Sequence, residues 1–185
     1  MATDTDICNS ALFKLGANRI LSLNDDTVEG RACKEQYPKI KRAFLRSHPW
    51  NFATKRMVFG QSPSSPVYEF DYQYLWPNDC LRVLGMEGER TFPWKVEGRT
   101  IVTNNPEGYT KYISDVHEGL FDDTALEALA TALAFDLCIP LTQSGTLKES
   151  LNRDYKEKLR DARVFDAQES VGDRVYADSW LNSRA

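Results

Sequence analysis

The stretch Asp123-Thr-Ala-Leu-Glu-Ala-Leu-Ala-Thr-Ala-Leu-Ala-Phe-Asp-Leu-Cys-Ile-Pro140 decides the fold. Leu126, Leu129, Leu133 and Leu137 recur at i, i+3, i+7 and i+11, with alanines between them. That period is helical, and so much alanine lets neighbouring helices approach closely. The pattern predicts a helix over 123–139, ended at Pro140, whose ring and missing N–H oppose the next turn. Asp122 and Asp123 stand where a helix start needs carboxylates to satisfy free N–H groups, which outweighs reading them as a catalytic or Mg²⁺-binding pair.

Downstream, Thr146 and Glu149 have capping-box spacing, and Leu147, Leu151, Tyr155, Leu159 and Ala162 mark a helix over 146–168. Glu149/Arg153 and Asp154/Lys158 are spaced to pair along its wet side. Upstream the texture changes. Between Phe52 and Asp115, glycine and proline divide short runs rich in Val, Ile, Tyr, Phe and Thr, which predicts strands at 53–59, 80–87, 92–97, 99–104 and 109–115. Glu97-Gly98 marks a tight hairpin between two of them.

Before the strands the helical period holds again. Asp4 and Asp6 can cap a helix over 6–16, with Ile7, Ala11 and Leu15 on one side and Gly16 as its stop. Asp26 and Glu29 suggest a capping box for a helix over 27–46 carrying Cys33, Tyr37, Ile40 and Phe44, with a kink or break at Pro38. Helices at both ends must bury their apolar stripes against each other. The predicted fold class is therefore α+β: one domain over 1–169, a helical bundle with a small antiparallel β region inserted at 52–115, followed by a flexible arm over 170–185.

Composition narrows the function classes. The chain has 185 residues, 23 basic and 27 acidic side chains and a net charge of −4, which opposes gripping nucleic acid by neutralising phosphates. Cys8, Cys33, Cys80 and Cys138 are scattered without a CxxC pair, so buried reduced thiols are expected in place of a zinc or redox site. Met-Ala-Thr-Asp-Thr-Asp at the start lacks a basic stretch followed by an apolar run, so no secretory signal is expected and synthesis belongs in a cytoplasm. The apolar stretch Ala125–Leu141 contains Glu127, Asp136 and Pro140 and falls short of the roughly 20 residues a bilayer crossing takes, so no membrane contact is expected.

No GxSxG, GxxxxGK[ST], GxGxxG or HExxH motif occurs, and Gly85-Met-Glu-Gly88 reads as a turn. His48 and His117 fall in different elements, and Asp25-Asp26 also precedes a helix. No catalytic, cofactor-binding or metal-binding residue is therefore assigned and no enzyme is expected. The strongest nucleic-acid candidate is Lys39, Arg42 and Arg46, which can share a helical face beside Lys41. A partner contact is the preferred reading of that face, with a small nucleic-acid-binding or regulatory module as the alternative. Tyr68, Phe70, Tyr72, Tyr74 and Trp76 alternate with Glu69, Asp71, Gln73 and Leu75; the carboxylates argue for packing over base stacking. In the arm, Val175, Tyr176, Trp180 and Leu181 are isolated apolar residues suited to anchoring on a partner.

The order of these features resembles the tail tubular protein A and head-to-tail adaptor family of short-tailed phages and prophages, over about residues 5–169. The resemblance rests on Cys8-Asn-Ser-Ala-Leu12 through Lys14-Leu-Gly-Ala17, Ile20-Leu-Ser-Leu23, Tyr37-Pro38 with Arg42, and Ser47-His-Pro-Trp-Asn-Phe-Ala53. It continues through Tyr72-Gln-Tyr74, Leu75-Trp-Pro-Asn-Asp-Cys-Leu-Arg-Val-Leu84, and the alanine-rich and charged helices from Asp123. Such a resemblance implies a structural subunit of the virion neck, assembled in the bacterial host cytoplasm. It implies a ring of identical copies, expected to be twelve, between the portal protein and the tail nozzle, with DNA passing through unbound during ejection. The arm is then expected to reach the portal or a neighbouring copy.

Overall fold

The structure, a computed structural model, describes residues 2–169. The elements run α1 (Asp4–Leu15), α2 (Val28–Arg46), β1 (Thr54–Val58), β2 (Tyr72–Leu75), β3 (Cys80–Met86), β4 (Trp94–Glu97), β5 (Thr100–Thr103), β6 (Tyr109–Ser114), α3 (Asp123–Thr142) and α4 (Gly145–Gln168). The fold is α+β, as the alternating periods require. The arm residues Val175, Tyr176, Trp180 and Leu181 lie outside the described residues.

Helix α3 is the hub. It packs against α1, α2 and α4, and Leu129, Leu133, Leu137 and the alanines around them are buried. By length and composition α3 is apolar enough to cross a membrane, but more than half of it is buried against the three helices around it, with Ile139 near its end left exposed. The sequence period marks the leucines as one stripe, and alanine on the other sides is what allows three helices to close on it.

Helix boundaries differ from expectation for local reasons. Thr3, not Asp4, caps α1: its side chain accepts the Asp6 N–H, and the Asp6 carboxylate accepts from the Thr3 N–H in return. Thr27, not Asp26, caps α2 through the Gly30 N–H, while Asp26 pairs with Arg31. Ser144, not Thr146, caps α4. In each case a hydroxyl one or more residues from the expected cap satisfies the first free N–H groups. Of the kink or break expected at Pro38, the break does not occur, and neither does the stop expected at Pro140. Both prolines are exposed, and the carbonyls they leave without a helical partner belong to the exposed residues Lys34 and Asp136, where solvent takes the bond.

The β region forms two antiparallel sheets of three strands, ordered β1-β6-β3 and β2-β5-β4. The expected hairpin joins β4 to β5, with Glu97 opposite Thr100. The other pairings join strands distant in sequence, so the region is not a run of sequential hairpins. Strand β2 comes from the aromatic alternation and was not among the expected strands. Beyond β1 the chain runs along β2 and stitches the sheets together, with Leu75 N–H to Gly60 O at 2.8 Å and Ser62 N–H to Gln73 O at 2.7 Å. Between the sheets lies a second core of Phe59, Tyr74, Cys80, Val83, Met86, Ile101 and Tyr112.

Gly108 is fixed by close approach: a Cβ there would lie 2.7 Å from the Phe59 carbonyl oxygen and 2.8 Å from the Tyr74 ring. Neither neighbour can retreat, since Phe59 and Tyr74 are both buried in that core. Gly108→Ala is expected to destabilise the protein by about 2 kcal/mol through overpacking. A urea midpoint equal to that of the parent chain would refute this packing account.

Candidate partner interface

The junction Ser47–Ala53 packs into the helical core where the chain passes from α2 to β1. Trp50 is fully buried, stacks on Phe44 at 4.9 Å and Phe52 at 5.6 Å between centroids, and donates its indole N–H to the Phe44 carbonyl at 3.1 Å. Asp166, near the end of α4, accepts the Asn51 N–H at 2.8 Å and lies 3.1 Å from His48 Nε2. His48 also meets the Trp50 ring edge-on at 4.6 Å. His117 Nδ1 accepts from the Gly119 N–H at 3.1 Å. Both histidines thus hold local structure in place.

The acidic pairs act likewise. Asp25 accepts the Leu21 and Ser22 N–H groups at 2.6 and 3.2 Å, and Asp122 caps α3 through the Thr124 N–H. All four cysteines are buried and unbridged; the neighbouring Cys33 thiol and burial together hold the Cys8 thiol far above its usual value. Among the described residues no three His, Cys, Asp or Glu side chains gather as a metal site.

The basic face of α2 is largely engaged within the chain. Lys39 pairs with Glu35 at 3.1 Å, Arg42 with Asp115 at 3.3 Å, and Arg46 donates to the Leu81 carbonyl. Lys41 is drawn inward to Glu118 at 2.9 Å and Asp115 at 3.3 Å. Exposed pairs such as Lys39–Glu35 hold by well under about 1 kcal/mol, so Lys39 and Arg42 remain able to meet a partner. They form no continuous row of free cations that would track a phosphate backbone.

The aromatic alternation divides between inside and outside. Phe70 and Tyr74 are buried, Tyr72 and Trp76 pack against the β core, and Tyr74 donates to the Asn105 carbonyl at 3.0 Å. Tyr68 alone is 80% exposed, next to Val67 at 98%. Glu69 takes a left-handed backbone with φ 71°, which turns Phe70 inward after Tyr68, and Lys95 holds its carboxylate at 2.5 Å. Strain of this kind survives where surrounding contacts fix it.

An exposed face that sequence reasoning missed lies on the sheet β1-β6-β3. Ile113 of β6 packs into the helical core, and alternation places Lys111 and Tyr109 on the same face, with Arg56 opposite Lys111 and Val58 opposite Tyr109 on β1. The helices cover the Ile113 end only. Beyond them the face is an open groove of about 670 Å³ lined by Arg56, Val58, Leu84, Glu87, Tyr109 and Lys111. The Phe59 N–H to Gly108 O bond at 2.8 Å sets the ladder phase, so Arg56 and Val58 turn their backbone N–H and C=O to the open edge of β1. The β1 sequence Thr-Lys-Arg-Met-Val carries no clear alternation, and its partner lies more than 50 residues away, so pairing was not legible locally. In comparison with known proteins, the chain matches no family model and no curated protein.

Proposed function

We propose that the chain is a non-enzymatic head-to-tail adaptor, a structural subunit that forms a ring in a phage neck between portal and tail nozzle. The observation that carries this reading is the open groove on β1-β6-β3, where Val58 and Tyr109 are 55% and 46% exposed beside an unpaired strand edge. Apolar surface contiguous with free backbone groups is a protein-docking surface. The motifs behind the family resemblance support the reading by where they fall: Ser47–Ala53 anchors the passage from α2 to β1 in the helical core, and the Tyr72–Leu84 stretch carries β2 and most of β3.

A subunit of this kind works by surface complementarity between copies and virion neighbours. Net negative charge lets DNA pass without releasing counterions on contact and so without being held. The test is the mass of the full chain alone and with the portal ring of the same phage. Closed multimers, or assembly only on the portal, are expected. A chain that stays monomeric in both conditions removes the adaptor reading.

A further inference from the structure

We infer that the Val67–Tyr68 loop of one copy seats in the β1-β6-β3 groove of the next, an inference that rests on the ring reading above. A heterologous contact, in which one patch meets a different patch on the neighbour, is the kind that closes rings of identical subunits. The chain presents both halves of such a contact. The loop offers Val67 and Tyr68, 98% and 80% exposed. The groove offers Val58, Tyr109 and Leu84 in a volume of about 670 Å³, which fits two side chains of this size.

Charge selects the second copy as occupant. Between Gly60 and Tyr72 the chain has no basic residue and two acidic ones, Glu69 and Asp71. Glu69 is paired with Lys95, whereas Asp71 is in no ion pair among the described residues. Arg56 and Lys111, cross-strand neighbours on the groove floor, are likewise in no ion pair among the described residues. Glu87 and Glu89, also lining the groove, follow β3, so repulsion from them steers the acidic flank of the loop away from that side and toward Arg56 and Lys111. The loop is also pre-shaped, since Lys95 binds Glu69 and lies 5.3 Å over the Phe70 ring, which lowers the ordering cost of docking.

Cysteine cross-linking tests the contact directly, because all four native cysteines are buried. Val58→Cys and Val67→Cys chains, each full length, are mixed under mild oxidation in conditions where the parent chain assembles by mass. The mixture is expected to give a covalent dimer that neither variant gives alone, and the double variant a ladder of multimers. Arg56→Glu with Lys111→Glu is expected to weaken assembly about tenfold, with Asp71→Lys restoring part of the loss. Assembly without cross-linking in the mixture overturns the docking and leaves the ring reading standing. Cross-linking of Val67→Cys with itself alone also overturns it, since that marks a symmetric contact. A parent chain that never assembles overturns both.

Discussion

Trp50→Ala is expected to destabilise the protein by about 4 kcal/mol, the upper range for deleting a large aromatic from a closed site. The side chain is fully buried and touches Phe44, Phe52 and His48. Its removal leaves a cavity, which dominates the loss, because the Phe44 carbonyl gives up the indole donor but keeps the Ser47 N–H at 3.1 Å and the Ser47 hydroxyl at 2.7 Å. Trp50→Phe keeps most of the ring contact but not the donor and is expected to cost about half as much. Denaturant unfolding measures both, and near-parental stability of the alanine variant would falsify the role assigned to this joint.

Glu118→Ala is the second large effect, at about 3 kcal/mol. The Glu118 carboxylate is buried and accepts from Tyr37 Oη at 2.7 Å and Lys41 Nζ at 2.9 Å. Truncation leaves a partly buried ammonium with only Asp115 and a phenol with no acceptor, although Asp115 keeps the loss below that of an isolated charge. Burial alone would raise the carboxyl, but the bonds from Lys41 and Tyr37 outweigh it and hold the group below its usual 4.5. A lowered folded value means the contribution is complete above about pH 4.5 and is lost as pH falls through the folded value. Glu127 and Asp79 are lowered in the same sense, the first by Lys14 and Lys158 and the second by Ser114 and Lys55, each against the pull of burial. The parent chain is therefore expected to lose stability on acidification from pH 7 to about 3, and Glu118→Gln to lose less over the same range. Equal slopes for the two would place the acid response elsewhere.

The helices were legible in the sequence because each carries its own period: Cys33, Tyr37, Ile40 and Phe44 on α2, and Leu129, Leu133 and Leu137 on α3, are buried as spaced, with Leu126 half-buried. Their ends were read less well, since Thr3, Thr27 and Ser144 compete as caps with nearby carboxylates and the competition is settled by backbone geometry. The prolines were misjudged because their cost depends on exposure, which a period alone does not place for Pro38 and Pro140. The pairing expected of Asp154 with Lys158 gave way to a longer reach, Lys158 joining Lys14 on Glu127 of α3 and so tying three helices. In the β region the strand positions were clear except for β2, but the partners were not, because β1–β6 and β2–β5 join residues far apart. That is also why the groove escaped notice: it exists only once Arg56 faces Lys111 and Val58 faces Tyr109.

The β region joins the helices through two passages of chain, and both cross one cluster of rings, with Phe52 on the way out and Phe121 on the way back lying 4.8 Å apart. A pull on either sheet therefore reaches the bundle through this ring cluster, where Phe44 and Trp50 receive it and Asp166 braces it from α4, and through Ile113 and the bonds between Arg46 and β3 beside it. With the ring cluster and the β3 and β6 contacts on α2 side by side, load is shared between two anchorages and does not fall on one pivot.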